Sequence, residues 1–243
     1  MQYKRVLIKL SGEGLANKQK KLAIDNELVQ KFASQLKKII DKGIEIAIVI
    51  GGGNFWRGTS AEKNGIPRVR ADYIGMLATT MNALALQSGF ENSKIKCRVL
   101  NSLSMDGKVC EEYINEKALK YLSNGEIVIF AGGTGRPFFT TDTAATLFAS
   151  EIKANAILMG KNKVDGVYDS DPKINKDARK FNKITYDEIL RRNLKILDQT
   201  AASMARDNNI DIIVFDISSE DSLLRVIENK IPCTIISNEI EKK

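Results

Sequence analysis

The residues of this sequence best suited to phosphate chemistry lie in three glycine-containing segments, each directly after an apolar run. The first segment contains Lys9, Leu10, Ser11 and Gly12. A lysine within an apolar strand is costly unless it faces a charged partner. We expect Lys9 to reach phosphate oxygens while the backbone N–H groups of Ser11 and Gly12 approach them. The alternative is a lysine at the solvated end of a sheet.

The second segment, residues 51–58, follows the most apolar run of the chain. It has three consecutive glycines, among them Gly52 and Gly53, and then Arg57. Glycines remove the Cβ atoms that would keep a polyanion away from the backbone, and a guanidinium forms a fork to phosphate oxygens. A phosphate site is therefore favoured over a plain flexible turn.

The third segment, residues 132–142, combines glycines, hydroxyls and two aromatic rings. The glycines and hydroxyls offer N–H and O–H donors to a phosphate, and the rings can pack beside a base or a sugar. We expect Thr141 or Asp142 to cap the helix that follows. The residues of interest before Asp142 are Thr134, Gly135, Arg136, Pro137, Phe138, Phe139, Thr140 and Thr141.

The absence of histidine restricts the chemistry open to this chain. It excludes Ser-His-Asp machinery, histidine general bases and His-ligated metals. The three cysteines, Cys97, Cys110 and Cys233, form no CxxC pair, so we expect ordinary thiols and neither a disulfide framework nor a zinc site. Phosphoryl transfer remains feasible, because it depends on positioning and charge neutralisation.

Other nucleotide-binding classes are disfavoured by missing motifs. There is no GxxxxGK[ST] and no GxGxxG after the first strand, which excludes a Walker A hydrolase and weakens a dinucleotide oxidoreductase. The net charge of +7 permits a nucleic-acid-binding regulator. Because the lysines are spread along the chain, a solvated surface and a polyanionic small substrate explain the charge more simply.

Apolar β-branched runs alternate with helical periodicity along the chain, which predicts a mainly parallel sheet with helices on both faces. The mostly apolar stretch over residues 44–50, which contains Glu45, is too short to span a bilayer, so we expect a cytosolic protein without a membrane partner. Residues 165–181 look like a loop-rich insertion. We predict strands over 6–10, 44–50, 97–100, 126–131, 156–159, 212–215 and 234–236, and helices over 25–41, 71–88, 108–122, 143–152, 185–192, 200–207 and 219–228.

At these loops the sequence resembles the amino acid kinase superfamily, and closely the bacterial uridylate kinases. The similarity extends from Tyr3 to Ser237, and the last two of its motifs are specific. The motifs are KLSGE from Lys9, VIGGGN from Val49, RG from Arg57, Asp72 with GMLAT from Gly75, TG from Thr134 with PFFTTDTAA from Pro137, and KVDGVYDSDP from Lys163.

The resemblance implies a three-layer α/β/α fold, with a UMP-acceptor lobe over about 1–150 and an ATP lobe over 151–243. It implies catalytic roles for Lys9, Arg57, Asp142 and Asp198. It implies ATP binding by Lys9, Leu10, Ser11, Gly12, Gly53, Arg57, Asn162, Tyr168 and Asp171, and UMP binding by Gly52, Asp72 and the eight residues Thr134 to Thr141.

The resemblance further implies Mg²⁺ carried by the ATP phosphates, a homohexamer and inhibition by UTP, whereas nucleic acid is not an expected partner. The sequence departs from relatives at residues 17–22, where many have a glycine-rich stretch tied to GTP activation, and at Tyr73, Ile74 and Arg136. The departure at residues 17–22 leaves GTP control open, whereas those at Tyr73, Ile74 and Arg136 are expected to tune the UMP site without abolishing it. Another kinase of the superfamily, acting on carbamate, acetylglutamate or aspartate, is the main alternative.

Overall fold

The computed structural model of the protein describes residues 3–58, 65–172 and 174–239, and it has an α/β architecture. A nine-stranded sheet has the order β4-β3-β5-β2-β1-β6-β10-β11-β9, and in it only β10 and β11 pair antiparallel. Strands β7 and β8 form a separate antiparallel hairpin. The strands are β1 Arg5–Leu10, β2 Glu45–Ile50, β3 Cys97–Asn101, β4 Glu111–Glu112, β5 Ile127–Ala131, β6 Ala156–Lys161, β7 Val167–Tyr168, β8 Lys180–Phe181, β9 Lys183–Thr185, β10 Asp211–Asp216 and β11 Cys233–Ser237.

Four of the seven α-helices in the described ranges begin after a residue whose side chain caps them. Asp25 caps the first helix by accepting a hydrogen bond from Glu27 N, and Thr185 caps the fifth in the same way from Glu188 N. None of the helices in the described ranges combines the length and apolarity needed to cross a membrane. They are α1 Asn26–Ile40, α2 Arg68–Asn92, α3 Asn115–Ser123, α4 Thr141–Glu151, α5 Tyr186–Arg192, α6 Gln199–Asp207 and α7 Ser222–Ile227, with a 3-10 helix at Gly12–Leu15.

Two apolar clusters cover the two faces of the sheet. Helices α1, α2 and α7 pack on one face, where Ile8 and Phe32 are buried. Helices α3 to α6 pack on the other, where Leu7 and Phe148 are buried. Successive residues of a strand point to opposite faces, so Leu7 and Ile8 enter different clusters and the strand is apolar throughout. The predicted three-layer α/β/α sandwich is confirmed.

The predicted helix over 108–122 is wrong in its first half. The side chain of Asp106 accepts a hydrogen bond from Lys108 N, which forms a turn, and the short strand β4 follows. The helix begins only at Asn115. Strands of two or three residues such as β4 and β9 lack enough apolar alternation to be recognised in a sequence.

Helix α2 is longer than predicted and buries a different face. Leu77 and Met81 belong to the apolar stripe at helical spacing from which the sequence predicts this helix, yet their exposed fractions are 48% and 46%. The buried face instead uses smaller residues together with Met76, Leu86 and Phe90. The helix is therefore apolar on both sides, and one of its apolar faces is directed outward.

Candidate active site

The three glycine-containing segments meet at one edge of the sheet. Strand β1 pairs with β2 and β6, and β2 pairs with β5, all in parallel. Because parallel strands end at the same edge, the loops after β1, β2 and β5 lie side by side, where open α/β sheets bind ligands. The expectation that these segments form one site is supported by this geometry.

Lys9 forms a largely buried ion pair with Asp142. The distance from Lys9 Nζ to Asp142 Oδ1 is 2.6 Å, and the two side chains are 11% and 15% exposed. Lys9 lies two residues after Leu7, so its side chain points to the face covered by α4. A lysine at a solvated sheet end is excluded, because the charge is buried against a carboxylate.

Helix α4 is capped by Thr140, and the prediction of Thr141 or Asp142 as the cap is wrong. Thr140 Oγ1 accepts hydrogen bonds from the backbone N–H groups of Asp142 and Thr143. Thr140 has the extended backbone that a capping residue needs, with φ −90° and ψ 171°. The carboxylate of Asp142, inside the first turn, is thereby available to Lys9.

Asp198 joins the N-termini of α4 and α6. It caps α6 by accepting from Ala201 N at 2.8 Å, and it also accepts hydrogen bonds from the hydroxyls of Thr140 and Thr143. The positive ends of two helix dipoles therefore meet at the Asp198 carboxylate, whose negative charge they stabilise.

A cleft of about 480 Å³ opens between Asp142, Asp198 and the segment before α6. Of the lining residues, sequence analysis predicted only Asp142 and Asp198 as site residues, and it missed Lys161, which ends β6. The Lys161 ammonium donates to Ile196 O at 3.0 Å. Burial lowers the pKa of Lys161, while nearby Asp142 raises it and nearby Lys9 lowers it. The lining residues are Asp142, Lys161, Ile189, Leu190, Asn193, Leu194, Lys195, Ile196, Leu197, Asp198, Gln199 and Ala202.

The buried Oδ1 of Asp142 already faces one cation, the Lys9 ammonium. Its 2.6 Å contact with Lys9 is an ion pair, and within the described residues no hydrogen-bond donor is aligned with this buried Oδ1. No group of three or more Asp, Glu, His or Cys side chains in those ranges is arranged to hold a metal. A cation here would take most of its ligands from elsewhere, as Mg²⁺ does on nucleotide phosphates.

A smaller pocket of 130 Å³ lies on the other side of Thr140. It brings together residues from the second and third glycine-containing segments and from α2. Six residues of the predicted acceptor set line it directly. The lining comprises Gly52, Trp56, Gly58, Ala71, Asp72, Gly75, Met76, Thr79, Gly133, Thr134, Phe139, Thr140 and Thr141.

Asp72 anchors the third segment to α2 beside this pocket. Its Oδ2 accepts a hydrogen bond from Phe138 N at 2.8 Å, and its carboxylate also accepts from Arg68 Nε at 2.9 Å. Phe138 has a φ of +72°, and its exposed ring lies under the Arg68 guanidinium at 5.5 Å. Arg136 is exposed and Pro137 half-buried. Gly135 is needed because its φ is +73°.

Close packing against a neighbouring loop and against α2 explains two of the predicted glycines, Gly12 and Gly52. A Cβ on Gly12 would lie 2.4 Å from Gly51 O, and one on Gly52 would lie 2.8 Å from the Ala78 Cβ. Gly53 is different, since a Cβ at this position would have its nearest neighbouring atom 3.8 Å away, on Glu13. We call the sheet edge formed by the loops after β1, β2 and β5 the rim. Gly12 and Gly52 therefore fix the shape of the rim, whereas Gly53 leaves its backbone open to a ligand.

A buried pair of amides holds the first two loops against α2, and sequence analysis missed it. Asn82, fully buried, donates to Gly51 O at 2.7 Å. Asn54 and Asn82 also exchange hydrogen bonds of 2.9 and 2.8 Å between their amides. The available signal was a polar residue inside an apolar helix, which requires a buried partner.

Replacing Asn82 by alanine is expected to lower the free energy of unfolding by about 1–3 kcal/mol, because Gly51 O and the Asn54 amide lose their partner in a buried place. Chemical denaturation measures this change. The exposed Asn92 at the end of the same helix provides the control, since Asn92→Ala should change stability by less than about 0.5 kcal/mol. Equal effects of both variants would contradict the role assigned to Asn82.

The remaining predicted residues lie at the borders of the cleft. Arg57 is 62% exposed and pairs with Glu13. Asn162 lines a separate cavity of about 660 Å³ that also includes Leu10 and Ser11. Tyr168 donates to Asp165 Oδ1 at 2.7 Å within the β7–β8 hairpin.

The β7–β8 hairpin contains Tyr168, and Asp171 follows β7. The hairpin packs on α5, and α5 lines the 480 Å³ cleft. The guanidinium of Arg192, at the end of α5, lies 5.5 Å from the Phe181 ring of the hairpin. Leu190 of the same helix lines the cleft. Asn162, Tyr168 and Asp171 do not line that cleft, so their predicted contacts with a nucleotide remain predictions.

Comparison with known proteins gives a consistent result. The model of the amino acid kinase family matches residues 4–216. The chain is 69% identical to the uridylate kinase of Mycoplasmopsis synoviae (strain 53), covering 98% of this chain and 99% of that protein. It is 49% identical to that of Streptococcus thermophilus (strain ATCC BAA-491 / LMD-9), covering 99% and 97%.

Solved structures agree with these sequence matches. The UMP kinase from Ureaplasma parvum superposes with a TM-score of 0.92 at 39% identity, covering 98% of this chain and 100% of that one. The UMP kinase from Bacillus anthracis also gives a TM-score of 0.92, at 42% identity, covering 98% and 97%. The similarity extends over essentially the full length in both comparisons.

Proposed function

This chain belongs to the amino acid kinase family and, within it, to the uridylate kinases, and we propose that it transfers the γ-phosphate of ATP to UMP. The products are ADP and UDP, and the reaction is a reversible step of pyrimidine nucleotide biosynthesis. The adjacency of the two pockets is the observation that most supports a transfer between two nucleotides. Thr140 and Thr141 line the small pocket while the next residue, Asp142, lines the large cleft, so two ligands at these places are neighbours.

UMP is assigned to the 130 Å³ pocket. The Asp72 carboxylate accepts hydrogen bonds only, so it suits hydroxyl or N–H groups of the nucleoside and not its phosphate. The exposed ring of Phe139 offers a surface on which a base can pack. The UMP phosphate is then directed to the hydroxyls and N–H groups at the start of α4, near the Lys9–Asp142 pair.

ATP is assigned to the donor side of the rim. The triphosphate would contact Lys9, the backbone of the first loop, Gly53 and Arg57. The open backbone at Gly53 supports this placement. We assign the adenosine to the side of the β7–β8 hairpin, with Asn162, Tyr168 and Asp171 as its predicted contacts.

Mg²⁺ fits the donor site as a partner of the ATP phosphates. The Asp142 carboxylate lines the donor cleft, and a carboxylate oxygen is a preferred ligand of this hard cation. Asp142 would hold the ion directly or through water, and phosphate oxygens would supply further ligands. When bound, Mg²⁺ neutralises negative charge on the phosphates.

The reaction needs charge neutralisation more than proton removal. The second pKa of a phosphomonoester is about 6, so the UMP phosphate is mostly dianionic at neutral pH and attacks without a general base. This agrees with a chain that has no histidine. The obstacle is repulsion between two polyanions, which Lys9, Arg57 and the helix N-termini offset. Asp142 and Asp198 keep Lys9 and the start of α4 in position.

The lobe division proposed from sequence follows the two pockets. Residues before about 150 supply the acceptor pocket, and most lining residues of the donor cleft come later in the chain. We further propose a homohexamer, inhibition by UTP and a cytoplasmic location. The outward apolar face of α2, with Leu77 and Met81, supports contact between copies.

A coupled ADP-release assay tests the proposed function. We expect saturable ADP formation with UMP, and lower kcat/KM with CMP and dUMP. Adding GTP and UTP measures activation and inhibition. ADP formation with carbamate, acetylglutamate or aspartate, and none with UMP, would instead indicate another kinase of the family. Tight, salt-sensitive nucleic-acid binding without UMP-dependent turnover would indicate a regulator.

Asp72→Asn is expected to raise the KM for UMP roughly 10-fold, because a charge-assisted hydrogen bond is weakened by about 1.4 kcal/mol. The KM for ATP should change less than twofold. Steady-state kinetics with each substrate varied in turn measures both. Asp41→Asn, at the exposed end of α1, is the matched control. An unchanged UMP KM in Asp72→Asn would rule out the assigned contact.

A further inference from the structure

We propose that Lys161 is a second phosphate-binding cation of the donor site. The proposal rests on the proposed function, because it assumes that the 480 Å³ cleft receives the ATP phosphates. It assigns Lys161 to the triphosphate and not to UMP, since Lys161 lines the cleft and is absent from the lining of the 130 Å³ pocket.

Strand register places Lys161 on the same face as Lys9. Lys9 pairs with Met159 across β1 and β6, and directly paired residues of neighbouring strands point to the same face. Lys161 follows Met159 by two residues and therefore points to that face too. Both lysines enter the layer of α4 and α6 at the edge where the phosphate-binding loops lie.

The charge of Lys161 is not neutralised by an ion pair within the described residues, in contrast to that of Lys9. Lys9 Nζ lies 2.6 Å from Asp142 Oδ1. Lys161 Nζ has one hydrogen bond there, to the neutral carbonyl of Ile196 at 3.0 Å. An ammonium group has three N–H donors, so two remain for an anionic ligand.

The charges around the cleft indicate that an anion bound there needs the positive charge of Lys161. Asp142 and Asp198 both line the cleft, and the Asp142 charge is matched by Lys9. A triphosphate that enters meets a second carboxylate, Asp198, and needs another cation. Lys161, half-buried beside Asp142 and Lys9, provides that charge in a partly desolvated place, where it acts more strongly than in water.

Nucleotide binding to Lys161→Met tests the proposal by titration calorimetry with ATP, ADP and AMP in the presence of Mg²⁺. We expect the Kd for ATP to rise roughly 10- to 100-fold, as for loss of a charge-assisted hydrogen bond. The Kd for AMP should change less than twofold, and Lys161→Arg should recover most of the ATP affinity. Lys96→Met, at an exposed position before β3, is the matched control.

A second variant, Lys161→Gln, keeps a donor for Ile196 O and covers the case in which the methionine variant does not fold. Unchanged ATP affinity in either folded variant would overturn the proposal. So would an equal loss for ATP and AMP, because that result indicates a structural role alone. These titrations contain no UMP. If the wild-type chain binds ATP but forms no ADP with UMP, the proposed function fails and the role of Lys161 is still measured.

Discussion

Lys9→Met is expected to lower kcat roughly 10²- to 10³-fold, the cost typical of removing one group that stabilises developing charge in a transition state. Lys9 is the lysine that the rim holds by a buried ion pair, with Nζ 2.6 Å from Asp142 Oδ1. Its partner Asp142 lines the cleft proposed for ATP, and the preceding residues Thr140 and Thr141 line the pocket proposed for UMP. The coupled ADP-release assay under saturating ATP and UMP measures the effect.

The single Lys9 variant also leaves the buried Asp142 carboxylate without its cation, which destabilises the fold. The double variant Lys9→Met with Asp142→Asn removes both charges, so we expect it to recover thermal stability without recovering activity. Lys96→Met controls for loss of an exposed lysine. Near-normal turnover in folded Lys9→Met would contradict a catalytic role for this lysine.

Asp142→Asn is expected to lower kcat about 10²-fold and to raise the Mg²⁺ concentration at half-maximal rate. An amide is a weaker ligand for Mg²⁺ than a carboxylate and no longer attracts Lys9 by charge. The helix start should remain intact, because Thr140 and not Asp142 is its cap. Rate measurements across a Mg²⁺ series, at fixed ATP and UMP, separate the two effects.

Asp41→Asn, at the exposed C-terminal end of α1, is the control for this measurement and should retain the wild-type Mg²⁺ curve. If Asp142→Asn has the same Mg²⁺ dependence as the wild-type chain, Asp142 does not act on the metal. A normal kcat would additionally exclude its role in positioning Lys9.

The main architecture was predictable because strand burial leaves a strong mark on sequence. Fully apolar runs such as Ile46 to Ile50 belong to strands covered on both faces. Parallel pairing then brings their carboxyl ends to one edge. The charge of Lys9 within an apolar strand indicated that this side chain faces a charged group, which was expected to be a phosphate, and in the structure the group it faces is Asp142.

Other features depend on contacts between distant segments and could not be read locally. In the sequence, Lys161 cannot be distinguished from other lysines at strand ends. Only the pairing of β1 with β6 shows that it points to the same face as Lys9. Thr140 is distinguished from Thr141 as the cap only by its backbone angles. The outward stripe of α2 has the same periodicity as a buried one, because periodicity reveals a face and not what covers it.

A crystal structure of the chain with UMP and a non-hydrolysable ATP analogue tests most directly whether one rim of the sheet holds both nucleotides. We expect the UMP phosphate at the start of α4 and the γ-phosphate in the cleft lined by Asp142 and Lys161. Lys9 Nζ should lie about 3 Å from a phosphate oxygen. Analogue phosphates bound away from both Lys9 and Asp142 would contradict this arrangement.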